Sequence, residues 1–380
     1  MFYLATLTRE YVSYAVRGVF CFIRHGTICV YYSNHEFALI HEESFMTQPS
    51  ANSDLPGYVP RPGMDVHGLK TIADAIRTNI EQVIVGQRET VDLLLVAILA
   101  EGHALIEDVP GMGKTVLARA LARSTGGDFR RIQCTPDLTP NDITGISVYN
   151  QQTGAFEFHP GPIMAQVVLA DEINRATPKT QSALLEAMAE RQVTVDRETL
   201  ALPRPFLVIA TQNPIELEGT FTLPEAQLDR FLVRLHMGYP TLEEERAILR
   251  RFRDAAPLET LAPVVSPDRL VNAQAAVHQV QINPSIETYL LDIVRATREH
   301  PAVELGASPR GALALARASQ ALAALAGRAF VLPDDVKRLA RPVLAHRLIT
   351  SMETRVHGQA GDLVLDEVVK NVRVPVETTR

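Results

Sequence analysis

The sequence predicts an α/β core with a mostly parallel sheet, followed by an all-α domain. Two observations carry this reading. Buried-strand patterns alternate with helical ones between 64 and 240, and beyond 241 only helical patterns remain. The first helix, 69–80, has apolar residues at 69, 72, 73, 76 and 80, close to the 3.6-residue period of a half-buried helix. The second, 90–101 (TVDLLLVAILAE), is apolar on most sides and therefore buried. A short strand at 103–107 (HALIE) runs into a Gly-rich turn and a helix at 114–124. Strands follow at 129–134, 166–170 and 205–211, the last two being apolar runs of the kind that a sheet covered on both faces produces. Two segments interrupt this rhythm: 145–158 (GISVYNQQTGAFEF) alternates apolar and polar residues around 150–154, and 192–202 (QVTVDRETLAL) does so around Asp196 and Arg197. Both read as β-hairpins. Helices are expected at 242–254, 266–278, 285–299, 309–326 and 333–347, the last with a proline in its first turn. The expected organisation is a front segment at 1–63, a core at 64–240, and a helical domain with a C-terminal tail at 241–380.

With 46% hydrophobic and 21% charged residues, the 380-residue chain is globular rather than disordered or fibrous. A formal charge of −7 argues against a protein that mainly coats nucleic acid or anionic membrane. Cys21, Cys29 and Cys134 are too few and too scattered for a disulfide framework or a four-ligand zinc site, which predicts a reducing, cytoplasmic setting. His159 has no second ligand at useful spacing, so no metal role is expected for it. The front is different in composition, holding ten of the 22 aromatic residues in its first 45 positions. Its best apolar run, 18–23, is too short for a secretory core, and no run in the chain is long enough for a spanning helix. Residues 47–63 (TQPSANSDLPGYVPRPG) read as a linker. We expect 1–63 to be a poorly ordered extension or a misassigned translation start, with Met46 or Met64 as the alternative beginnings.

The chemistry begins after the strand at 103–107. Asp108, Val109, Pro110, Gly111, Met112, Gly113, Lys114 and Thr115 form a phosphate cradle before a helix. The glycines let backbone N–H groups turn toward the β and γ phosphates, Lys114 adds a point charge, and the Thr115 hydroxyl can ligate Mg²⁺. The strict pattern has glycine where this chain has Asp108. The strand VVLA ends in Asp171 and Glu172, 57 residues after Lys114. There Asp171 can hold Mg²⁺ through water and Glu172 can deprotonate the attacking water. Asn213 follows another buried strand; it can hold the same water or the γ-phosphate, or merely cap a turn before Pro214. Arg230, at a helix end in LPEAQLDRF (223–231), can reach a neighbour's γ-phosphate in trans, the alternative being a surface ion pair with Asp229 or Glu225. Arg310 opens a helix of the α domain and can report nucleotide state from there, or be an ordinary exposed arginine.

From about Gly68 to the end the chain resembles the MoxR family of AAA+ ATPases. EDVPGMGKT (107–115), ADEINRA (170–176), KTQSALLEAM (179–188), ATQNP (210–214) and LPEAQLDRF (223–231) carry the resemblance. It implies a P-loop NTPase core with two β-hairpin inserts and an all-α lid. It further implies Walker A at 108–115, Walker B at Asp171 and Glu172, sensor 1 at Asn213, the arginine finger at Arg230 and sensor 2 at Arg310. Val85 and Gly86, in IVGQ (84–87), resemble the segment that packs on adenine. The hairpins at 145–158 and 192–202 resemble the helix-2 insert and the pre-sensor-1 hairpin. An ATP-driven homo-hexamer follows by resemblance, with a chaperone-like role on client proteins that often carry von Willebrand factor A domains. A magnesium-chelatase-like motor subunit is the first alternative and a nucleic-acid motor the second. Against the latter, the first hairpin contains no Lys or Arg and the second only Arg197.

Overall fold

The computed structural model describes residues 65–375 apart from 197, 214–218, 254–255 and 352–359, together with the backbone of four strands within 12–40. The chain divides into two units, Met1–Pro62 and Gly63–Arg380. In the first, β1 (Val12–Val16), β2 (Val19–Arg24), β3 (Thr27–Tyr32) and β4 (Phe37–Ile40) pair antiparallel in chain order. The expected linker at 47–63 lies outside the described residues.

The second unit opens with α1 (Val66–Glu81), started by Asp65, whose carboxylate accepts from the Gly68 amide at 2.7 Å. Next come α2 (Arg88–Leu99), β5 (Ala104–Glu107), α3 (Lys114–Ser124), β6 (Phe129–Gln133) and α4 (Pro140–Thr144). The first expected hairpin is β7 (Gly145–Asn150) with β8 (Ala155–Pro160). After β9 (Val167–Asp171) and α5 (Pro178–Glu190), the second is β10 (Gln192–Val195) with β11 (Glu198–Ala201). Then follow β12 (Leu207–Gln212), the one-turn α6 (Glu225–Leu228) and β13 (Val233–Leu235).

Five strands form one sheet in the order β13-β5-β12-β9-β6, every neighbouring pair parallel. Successive side chains in β5, β9 and β12 point to opposite faces. Ala104, Ile106, Val167, Leu169, Leu207 and Ile209 join the apolar layer of α1, α2 and α3, while Leu105, Val168, Ala170, Val208 and Ala210 join that of α5. Burial on both faces is why these strands read as unbroken apolar runs.

Beyond 241 the helices are α7 (Leu242–Arg253), α8 (Pro257–Thr260), α9 (Pro267–Val277), α10 (Pro284–Glu299), α11 (Pro309–Leu325), α12 (Pro333–Leu344) and α13 (Ala360–Asn371). Proline in the first turn of α8 to α12 marks their starts, since the ring suits helical φ and the missing N–H would be unpaired there anyway. Besides the one-turn α8, which the sequence reading did not include, three details depart from that reading. The α domain contains a short antiparallel pair, β14 (Val303–Leu305) with β15 (Ile349–Thr350), too short to show alternation. The helix expected to end at 347 stops at Leu344 and tightens into a 3₁₀ turn over Ala345–Arg347. Finally α13, unread in the sequence, packs on α10 and α12 through Val364, Leu365 and Val368. Among the described residues no helix is long and apolar enough to cross a membrane.

Candidate functional site

Ligands of open parallel sheets collect at the carboxyl ends of the strands. Here the loop after β5 and the tips of β9 and β12 meet around a cleft of about 400 Å³, lined by Pro110 to Val116, Arg131, Asp171, Glu172, Thr211 and Asn213. The sheet order explains the meeting, because β12 lies between β5 and β9 and carries Asn213 into the gap.

Gly111 and Gly113 take φ of 87° and 82°, the left-handed region that L side chains enter at a cost, and a Cβ at either would find open space. Glycine is needed there for backbone conformation. The first turn of α3 holds no acidic residue, and Gly113 supplies no side-chain cap, so its N–H groups face the cleft without an internal anion. The Lys114 ammonium donates to the Asp108 carbonyl at 2.6 Å, closing the loop on itself. Burial lowers its pKa, while Asp108, Asp171 and Glu172 act in the opposite direction.

Asp108, the departure from the strict loop pattern, lies beneath the cleft. Its Oδ1 accepts from the Val109 amide at 2.8 Å, and its Oδ2 accepts from Met237 and Gly238 amides at 2.7 and 2.9 Å. A carboxylate thus ties the loop to the chain after β13, a job glycine could not do. Val109 does not line the cleft.

At the tip of β9 the Thr211 hydroxyl donates to Asp171 Oδ1 at 2.6 Å and accepts from the Glu172 amide at 2.8 Å. Arg131 donates to Asp171 Oδ2 through Nη2 at 2.6 Å and Nε at 3.1 Å. Around Glu172, the Gln133 amide donates to Oε2 at 3.2 Å and Arg175 Nε lies 3.3 Å from the same oxygen. Glu172 has φ 57° and ψ 52°, a left-handed conformation that costs a non-glycine residue about 1–2 kcal/mol. The Thr211 bond and the Arg175 amide on the Glu172 carbonyl, at 2.8 Å, hold it there.

A second, apolar pocket of about 250 Å³ shares Gly111 to Gly113 and Val116 with the cleft and is closed by Val83, Ile84, Val85, Met237, Ile248 and Phe252, among others. The loop thus separates a polar cleft from an apolar pocket. Val85 lines this apolar pocket, whereas Gly86 lines a neighbouring cavity beside Glu244 and Arg338. Arg230 and Arg310 are not brought to the cleft either. Arg230 follows α6; its amide donates to the Gln227 carbonyl at 3.2 Å, and its side chain makes no hydrogen bond or ion pair among the described residues. Arg310 Nε lies 3.9 Å from Oδ2 of Asp229, the residue before Arg230 in the chain. Cys134 is buried beside the carboxylates; its thiol is pushed up to about 12 by burial, then by Asp171 and Glu172, and is an unreactive filler.

Sequence reasoning missed Arg131, Gln133 and Thr211. The first two reach the carboxylates because β6 lies in register beside β9, Gln133 opposite Asp171, and that adjacency has no local signal. Thr211 sits within the ATQNP motif but needs the β12–β9 pairing to show its partner.

The sheet order, the Gly-rich loop and the paired carboxylates, followed by a helical domain, define an AAA+ ATPase fold. Residues 103–233 match the ATPase family associated with various cellular activities (AAA), and residues 295–368 match the AAA lid domain. YeaC of Bacillus subtilis is 52% identical over 313 residues, 82% of this chain and 97% of its own. Chaperone MoxR1 of Mycobacterium tuberculosis is 39% identical over 86% of this chain and 89% of its own. A crystal structure of a Cytophaga hutchinsonii protein superimposes with a TM-score of 0.76 at 38% identity, covering 81% of this chain and 96% of that one. The chain belongs to the MoxR family of AAA+ ATPases.

Proposed function

We propose that this chain hydrolyses Mg-ATP between the subunits of a homo-hexameric ring and uses the cycle to remodel, mature or activate a client protein. The observation that carries the proposal is the gathering of Lys114, Thr115, Asp171, Glu172 and Asn213 around one cleft, with Arg230 and Arg310 held off it. In this reading residues 64–240 form the catalytic core and 241–380 the lid and tail. The loop amides and Lys114 hold the triphosphate, and the apolar pocket at Val85 takes the base. Thr115 and Asp171 offer the hard oxygen ligands that suit Mg²⁺, which when bound neutralises charge on the phosphates. Glu172 orients the attacking water and takes its proton, and Asn213 steadies that water or the γ-phosphate. Arg230 of a neighbouring subunit completes the site, and Arg310, beside Asp229, acts across the same interface.

A protein client is favoured by the β7–β8 hairpin. It exposes Ile146, Val148, Tyr149 and Phe156, the last 72% accessible, where a nucleic-acid motor would present cations. A client bearing a von Willebrand factor A domain is the class the family implies, and the scattered cysteines favour a cytoplasmic setting. The test of the chemistry is Glu172→Gln: it should bind ATP as the unaltered chain does and hydrolyse it at least about tenfold more slowly. Full turnover in that variant would remove Glu172 from the mechanism.

A further inference from the structure

We propose that Arg347, with His346, is a positioning residue for catalysis, acting through Arg230 by clamping the backbone on both sides of it from the helical domain. This rests on the reading that Arg230 works on a neighbour's nucleotide. The segment 229–232 belongs to no strand or helix, since α6 ends at Leu228 and β13 begins at Val233. Its four amides donate to the carbonyls of Glu225, Gln227, Leu228 and His103, which leaves its own carbonyls to be held from elsewhere, and the hold matters because a misplacement of about 1 Å in a catalytic group can cost about 100-fold in rate.

The 3₁₀ turn after α12 supplies the hold. Arg347 Nε donates to Asp229 Oδ1 at 2.7 Å, and its Nη2 donates to the carbonyls of Phe231 at 2.8 Å and Asp229 at 3.2 Å. The remaining Nη1 donates to the Val343 carbonyl, at the end of its own helix, and to Leu232 at 3.5 Å. His346 Nε2 meets the same Phe231 carbonyl at 3.0 Å. The carbonyls immediately before and after Arg230 are thus taken by one turn, while the Arg230 side chain stays free of partners among the described residues. Phe231 anchors the other side, fully buried in the apolar layer under α5.

Both clamping side chains are themselves buried, a costly place for a guanidinium unless every donor is used. Only the planar fork of arginine can span a carboxylate and carbonyls at once; a lysine would keep the charge and lose the span. Burial holds the His346 imidazole well below its usual pKa, with Arg347 adding to the effect, so the ring stays neutral. The same segment receives Arg310 on the second oxygen of Asp229. Any displacement of the helical domain relative to the sheet is therefore carried to Arg230.

The test uses Arg347→Ala and Arg347→Lys in the full chain, with Arg230→Ala alongside. Arg347→Ala should lower turnover about 10- to 100-fold with ATP binding within about twofold of normal, and Arg347→Lys should recover part of the loss. Because its own cleft is intact, Arg347→Ala mixed with Glu172→Gln should exceed the summed activity of the two alone, as Arg230→Ala mixed with Glu172→Gln should. Near-normal turnover in both Arg347 variants would overturn the proposal. So would the absence of recovery in the Arg347→Ala mixture while the Arg230→Ala mixture recovers. Failure of both mixtures despite proven co-assembly would remove the trans reading, and the clamp with it. If Arg347→Ala fails to fold, Arg347→Lys carries the same readouts: lowered turnover with recovery on mixing supports the clamp, and unchanged turnover sinks it.

Discussion

Asp108 shows why a residue that breaks a motif can still belong to the site. Its carboxylate accepts three backbone amides, from Val109, Met237 and Gly238, and so joins the phosphate-type loop to the strand on the far side of β5. Replacing it by the glycine of the strict pattern leaves those N–H groups without their acceptor. Asp108→Gly should therefore lose about 1–3 kcal/mol of stability in denaturant melts and bind ATP more weakly. Equal or tighter binding would show the tether to be incidental. At the other end of β5, buried His103 accepts from the Val208 amide at 3.0 Å and donates to the Met188 carbonyl at 3.1 Å. Burial lowers its pKa to about 4 from 6.5. Between those values the unfolded chain binds the extra proton, so stability falls as pH drops through the window, by up to about 3 kcal/mol from this ring. Urea midpoints between pH 7 and 4 should fall less steeply in His103→Gln than in the unaltered chain.

Helices that announce themselves do so through burial or capping. The all-round apolar pattern of α2 is explained by its place between the sheet layer and helices α9 and α11, with Leu94, Leu95 and Val96 all at 0% exposure. Leu94→Ala should cost about 2–5 kcal/mol by urea unfolding without altering the cleft. The prolines that open α9 to α12 made the lid legible almost residue by residue. Some elements that escaped reading have neither signal, namely β13 with three residues, β14 and β15 with three and two, and α13 beyond the predicted helices, whereas α4, α5 and α8 were passed over although each has proline in its first turn. Both hairpins were legible from alternation about a polar turn, with Asn150 opposite Ala155 and Val195 opposite Glu198. On β7–β8 that alternation is a weak guide to burial, since apolar residues of both strands stand exposed.

For the whole molecule, motifs named the chemistry but only the fold says which motifs meet. Nothing local tells 103–107 to pair with 207–212, yet that pairing brings Asn213 and Thr211 between the loop and Asp171. Residues that act through neighbours, such as Arg131 on Asp171 and Arg347 on the Arg230 segment, carry no motif and become visible only once strands and lid are placed. The same placement leaves each chain's own cleft without Arg230 or Arg310. An isolated subunit should then bind ATP and hardly turn it over. The most direct measurement is turnover per subunit across a dilution series, with assembly state followed by light scattering or mass photometry on the same samples. Hydrolysis across a subunit interface predicts that specific activity collapses by at least about 100-fold as assemblies give way to monomers, an arginine finger being worth about 10³–10⁵ in rate, while nucleotide binding persists. Specific activity that stays constant from assembly down to monomer would contradict it.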